Sequence, residues 1–218
     1  MAAKQEQYVI LLHGLARTAR SMKRLERALS LEGFGVVNLN YPSREQPVEV
    51  LAQSVIPKAL KSCPPQAVIH FVTHSLGGIL VRYYFCHHHE SRLGRVVMLG
   101  PPNQGSEVVD RLAGVPGFAW YNGPAGLQLG TQSDSIPRML GPCGFQLGVI
   151  AGSTSINPFL SLMIPGVNDG KVSVASTAVA GQMDHLVLAV NHTSMMNNPQ
   201  VIRQAIYFLR HGCFERKG

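Results

Sequence analysis

The heptapeptide VTHSLGG (residues 72–78) sets a serine between an apolar stretch and a helical pattern, with small residues close behind it. A hydroxyl carried on a tight strand-to-helix turn stands clear of the backbone, and the amides that open the following helix point at the same place. Gly77, two positions beyond Ser75, permits the close backbone approach that such a turn needs. The pattern departs from G-x-S-x-G in carrying Thr73 at the first glycine position. A serine hydroxyl is a weak nucleophile at neutral pH. Chemistry at Ser75 therefore requires an imidazole to take its proton and hand it to a leaving group.

Among the histidines, His192 is best placed for that task. It follows the apolar run Leu186–Val190 and precedes a helical pattern, which sets it on a loop at one edge of a sheet. His70 lies inside a strand, His185 precedes one, and His87, His88 and His89 fall at a helix end. The last three are adjacent, so their side chains diverge; they read as a solvated helix end, not as ligands of one metal ion. A carboxylate must hold the imidazole in one tautomer and stabilise its cation. Asp169, in the turn Asn168-Asp169-Gly170, is the first choice, although the same tripeptide also reads as an ordinary turn. Asp134 and Asp184 come next, and Asp110 lies on a helical stretch. His13-Gly14 closes an earlier strand where a second donor for a developing oxyanion is needed, or simply caps that strand.

The elements that must position these residues alternate along the chain. Strands are expected at 8–12, 36–39, 67–73, 96–99, 145–151 and 186–190, and helices at 18–33, 47–61, 77–90 and 199–211. Gly33 marks the end of the first helix. The strands are apolar without alternation, as buried parallel strands are. The order predicts a mostly parallel sheet with right-handed crossovers and helices on both faces, in one domain spanning residues 1–218. Residues 114–144, dense in Gly and Pro, break the rhythm and read as a loop or short-helix excursion over the site. Met195, Met196, Phe159, Leu160, Leu162, Met163 and Ile164 either wall an acyl pocket or pack in the core; composition does not decide between them.

Taken together, LLHGL (11–15), THSLGG (73–78), GPPNQGS (100–106), NDGKVSVAS (168–176) and NHTSMMNN (191–198) resemble the α/β-hydrolase lipases and esterases. The likeness is in particular to a bacterial lipase-like branch that also resembles the inositol deacylases acting on lipid-anchored glycans. The resemblance runs over nearly the whole chain. It implies an α/β-hydrolase fold, Ser75 as nucleophile, Asp169 as acid and His192 as base, while the shortness of the 114–144 excursion makes any lid small or absent. It also implies backbone amides of Leu15 and Leu76 as the oxyanion hole. The chain order Ser, Asp, His agrees with this fold class.

Composition fits an enzyme: 45% hydrophobic and 14% charged residues give more core than charged surface. The net charge of +7 is spread over scattered Lys and Arg with no basic run and no interleaved aromatics, which argues against nucleic acid as a partner. The four cysteines form no CxxC pair, so no zinc site or dense disulfide framework is implied, and one bridge stays open. The run Tyr8–Leu12 is too short for a signal-peptide core or a membrane span, so the chain as given reads as cytoplasmic, unless an export signal has been lost. The expected reaction is hydrolysis of short- to medium-chain carboxylic esters through an acyl-enzyme, with no metal or organic cofactor. Lipid-like esters and a transient membrane-surface contact stay open, as does the oligomeric state. Acyl transfer to an alcohol or amine uses the same residues. The presence of nucleophile, base and acid together argues against a non-catalytic binding protein.

Overall fold

The computed structural model describes residues 5–216; the ends of the expected domain, 1–4 and 217–218, lie outside the described residues. Six strands, β1 (Gln7–Leu12), β2 (Gly35–Leu39), β3 (Val68–His74), β4 (Leu93–Leu99), β5 (Gln146–Gly152) and β6 (Asp184–Leu188), form one sheet in the order β2-β1-β3-β4-β5-β6. Every pairing is parallel, so all the strand C-termini share one edge of the sheet.

Both faces of the sheet are covered, which is why its strands read as unbroken apolar runs. Val9 and Leu11 of β1 meet α1 (Lys23–Leu31) and α9 (Pro199–His211) through Leu25, Leu29, Val201 and Phe208. Ile10 and Leu12 face the opposite layer, where α2 (Val48–Lys61) and α3 (Leu76–His87) pack Leu51, Ile56, Ile79 and Leu80. Each of these side chains is fully or almost fully buried, worth about 1.5–3 kcal/mol apiece relative to exposure.

The helix ends follow local rules. α1 begins after a 3-10 turn at Ala19–Met22 and ends where Gly33 turns left-handed (φ 84°), so that Phe34 N–H reaches Leu29 O and Gly33 N–H reaches Ser30 O. α9 starts on Asn198, whose side chain accepts from Gln200 and Val201 N–H, with Pro199 at its first position. α3 stops at His87, three residues short of the expected end. The imidazoles of His87 and His88 bond the Tyr83 and Tyr84 carbonyls and lie against those tyrosine rings, satisfying the final turn. β6 also departs from expectation, running 184–188 instead of 186–190, because its partner β5 ends at Gly152 opposite Leu188.

The stretch between β4 and β5 holds α4 (Glu107–Leu112), α5 (Phe118–Leu127) and α6 (Ile136–Met139), with a break inside α5 at Gly123. Two further short helices, α7 (Pro158–Leu162) and α8 (Val174–Thr177), flank the loop that carries Asp169. All four cysteines are free thiols. Among the described residues no helix is long and apolar enough to cross a membrane.

Candidate active site

Ser75 is the single residue between β3 and α3, held at φ 50° and ψ −118°, a left-handed backbone that a side chain adopts only under strain. Its N–H donates to Leu99 O of β4 at 2.9 Å, which pins the turn to the sheet. A Cβ at Gly77 would lie 2.7 Å from Leu12 O, so only glycine lets α3 approach β1 here. Thr73 fits in place of the first glycine because the opposing residue is Gly78, where an added Cβ would come within 3.3 Å of the threonine hydroxyl.

Asp169 and His192 arrive from the loops after β5 and β6 and meet at that same edge. Asp169 Oδ2 accepts from His192 Nδ1 at 2.7 Å, and His192 N–H donates to Asp169 O at 3.0 Å. The other carboxylate oxygen accepts from the amides of Lys171 (3.0 Å) and Val172 (2.8 Å). The acid is 2% exposed and the imidazole 4%, so their bond is shielded from water while the ring still reaches the cavity. The other carboxylates are engaged elsewhere: Asp110 binds the Thr131 amide and hydroxyl, and Asp184 binds Arg216 and the Phe214 amide. Asp134 is exposed.

His13 proves to be a brace. Its Nδ1–H donates to Gly14 O, its Nε2 accepts from Tyr41 N–H, and its ring stacks on Tyr41 at 4.1 Å; the tyrosine hydroxyl donates to His13 O. Burial lowers its pKa, keeping it neutral. The loop it supports turns through Leu15 and the left-handed Ala16 (φ 54°). Leu15 lines the cavity, and Leu76 contributes the first N–H of α3, a position without an intrahelical acceptor.

Two contributors were not singled out in the sequence. His74 is buried behind His192 with ring centroids 4.8 Å apart, and its Nε2–H donates to the His192 carbonyl at 3.0 Å. Burial, then the neighbouring His192, pushes its pKa far down, so it stays neutral. Gly100, at the end of β4 with φ 55°, lies against Asp169 and His192. A Cβ there would come within 3.1 Å of both Asp169 Oδ2 and His192 Nδ1. The glycine of GPPNQGS was visible, but its contact with Asp169 and His192 spans long stretches of chain.

Ser75, His74, His192 and Leu15 open onto a cavity of about 350 Å³. Its apolar wall comes chiefly from α4, α5 and the turn joining them, through Val108, Val109, Leu112, Val115, Phe118 and Tyr121. Part of the 114–144 stretch thus lines this cavity, and the wall begins at α4, upstream of residue 114. Of the residues considered for an acyl wall, only Leu160 lines this cavity. Met195 and Met196 are core residues under α9, while Phe159 and Leu162 are exposed.

No family model and no curated protein sequence matches the chain. Solved structures do. The mature lipase BlEst2 of Bacillus licheniformis superposes with a TM-score of 0.70 at 17% identity, over 95% of this chain and 93% of that one. The metagenomic carboxyl esterase MGS0156 gives 0.68 at 19% identity, over 87% of this chain and 65% of that one. Phospholipase PlaB of Legionella pneumophila, in complex with thio-NAD, gives 0.69 at 17% identity, over 94% of this chain and 58% of that one. These likenesses and the parallel sheet with helices on both faces show that the chain has the α/β-hydrolase fold.

Proposed function

We propose that the protein hydrolyses carboxylic esters through an acyl-enzyme on Ser75. The observation that carries this reading is the buried Asp169–His192 hydrogen bond opening onto the cavity in which a strained serine stands. The names of the neighbours, a lipase and a carboxyl esterase, favour the same chemistry.

In this reaction Ser75 Oγ attacks the ester carbonyl carbon while His192 Nε2 takes the hydroxyl proton. Asp169 holds the proton on Nδ1 and stabilises the imidazolium. The carbonyl oxygen, now an oxyanion, takes hydrogen bonds from the Leu15 and Leu76 amides. Collapse breaks the C–O bond, the alcohol leaves with the proton from His192, and the acyl group stays on Ser75. Water then adds to the acyl carbon, giving its proton to His192, and the carboxylic acid departs as the proton returns to Ser75. The cavity size favours short- to medium-chain acyl groups, and the route needs no metal or organic cofactor.

Hydrolysis of p-nitrophenyl esters of graded chain length by wild type and Ser75→Ala tests the proposal. Turnover in wild type, lost in the variant and falling off at long acyl chains, is expected. Equal rates in both proteins would overturn Ser75 as the nucleophile.

A further inference from the structure

Two cations rim the cavity, each two residues from a member of the proposed machinery. Arg17 follows Leu15 on the loop after β1, its N–H bonded to Gly14 O, and Lys171 follows Asp169, its N–H bonded to the acid itself. Both side chains line the cavity that holds Ser75 and His192.

Among the described residues, none lining that cavity is acidic. Glu107 and Asp110 on the neighbouring α4 are turned to other partners, Glu107 accepting from the Ser173 and Ser176 hydroxyls and Asp110 from Thr131. Among the described residues neither Arg17 nor Lys171 takes part in an ion pair, whereas Lys23, Arg92, Arg203, Arg210 and Arg216 do. Arg17 is half-buried and Lys171 exposed at the rim. Both side chains line the same cavity as His74, and each charge adds to the lowering of its pKa, behind burial and His192. Although Lys171 has an open outer surface, burial on its inner side lowers its pKa, the Arg17 charge adds to this, and the Asp169 carboxylate offsets part of it.

Two like charges share this rim, and the one carboxylate near them, Asp169, is already engaged by His192 and by the Lys171 and Val172 amides; an anionic ligand relieves the repulsion that remains. We infer that the site selects esters whose alcohol carries an anionic group, a phosphate or a carboxylate, which Arg17 and Lys171 bind while the acyl chain lies on the apolar wall. This rests on the ester hydrolase reading above and names the substrate class for it.

Wild type, Arg17→Gln and Lys171→Gln are compared on three soluble butyrate esters: monobutyrylglycerol, monobutyrylglycerol phosphate and butyryloxyacetate, with released butyrate measured. Wild type is expected to prefer an anionic ester over the neutral one by about tenfold or more in kcat/KM, and each variant to lose most of that ratio. The ratio in wild type should also fall between about 0.05 and 0.5 M salt, a reading that needs no variant. A gain with the phosphate ester alone identifies a phosphate-bearing alcohol, and an equal gain with butyryloxyacetate identifies a site that reads charge without phosphate geometry. Equal efficiency of wild type on all three esters, with p-nitrophenyl butyrate still cleaved, overturns this inference and leaves the hydrolase reading standing. Failure on all three and on p-nitrophenyl butyrate overturns both.

Discussion

His74 Nε2 lies 3.0 Å from the main-chain carbonyl of His192, so the residue just before the proposed nucleophile is bonded to the backbone of the proposed base. A carbonyl only accepts, which fixes the proton of His74 on Nε2 and leaves Nδ1 buried with no partner among the described residues.

His74 is a positioning residue on this geometry. His74→Ala should lower kcat roughly 10- to 100-fold and leave KM within about twofold, because only the placement of the base is disturbed. His74→Gln, which returns an N–H donor, should recover part of kcat. Ester kinetics on both variants, checked for cooperative unfolding, decide this. A rise in KM with kcat unchanged would count against positioning.

Gly100→Ala places a methyl within 3.1 Å of Asp169 Oδ2 and His192 Nδ1 at a backbone φ of 55°. Neither the acid nor the ring has room to yield, since both are buried and joined to one another. The expected loss is about 10²-fold in kcat and roughly 1–2 kcal/mol in stability, read from initial rates and urea unfolding.

Ser75, the proposed nucleophile, holds a strained backbone, so removing the side chain should help folding. Ser75→Gly is expected to be inactive yet more stable by about 1 kcal/mol, raising Tm by roughly 2–4 °C, with Ser75→Ala near wild type. A lower Tm for Ser75→Gly would mean that the turn is not strained.

Three buried histidines set the response to acid. Burial is the first cause lowering His13, His70 and His74, taking His70 from 6.5 to about 4. The unfolded chain therefore binds protons that the folded one refuses, and stability is complete above pH 6.5 and falls as pH drops toward 4. Each such histidine contributes up to about 1.4 kcal/mol per pH unit in that window. Urea midpoints measured between about pH 7 and pH 5 should fall steeply. His70→Asn, which keeps an acceptor for the Arg95 amide, should flatten the slope.

The parallel sheet and the residues found together at its edge were legible because their signals are local. Ser75 has a strand before it and a helix after it, His192 follows an apolar run, Asp169 sits between glycine-rich turns, and Gly33 ends α1 by its own conformation. What escaped depends on contacts across the chain. His74 and His192 are 118 residues apart. Met195 and Val108 are both apolar, yet topology sends the first into the core beneath α9 and the second to the cavity wall. The premature end of α3 came from imidazoles bonding helix carbonyls, a side-chain competition that periodicity does not register.

Most of the apolar wall is carried by one stretch of chain between β4 and β5, whereas Ser75, Asp169 and His192 leave β3, β5 and β6. Heredity can therefore rewrite the two separately. On the proposed reading, a duplicated copy of this chain can drift toward a new acyl group by changes confined to residues 107–129, and a mutational library limited to that stretch would explore substrate range while Ser75, Asp169 and His192 keep their places.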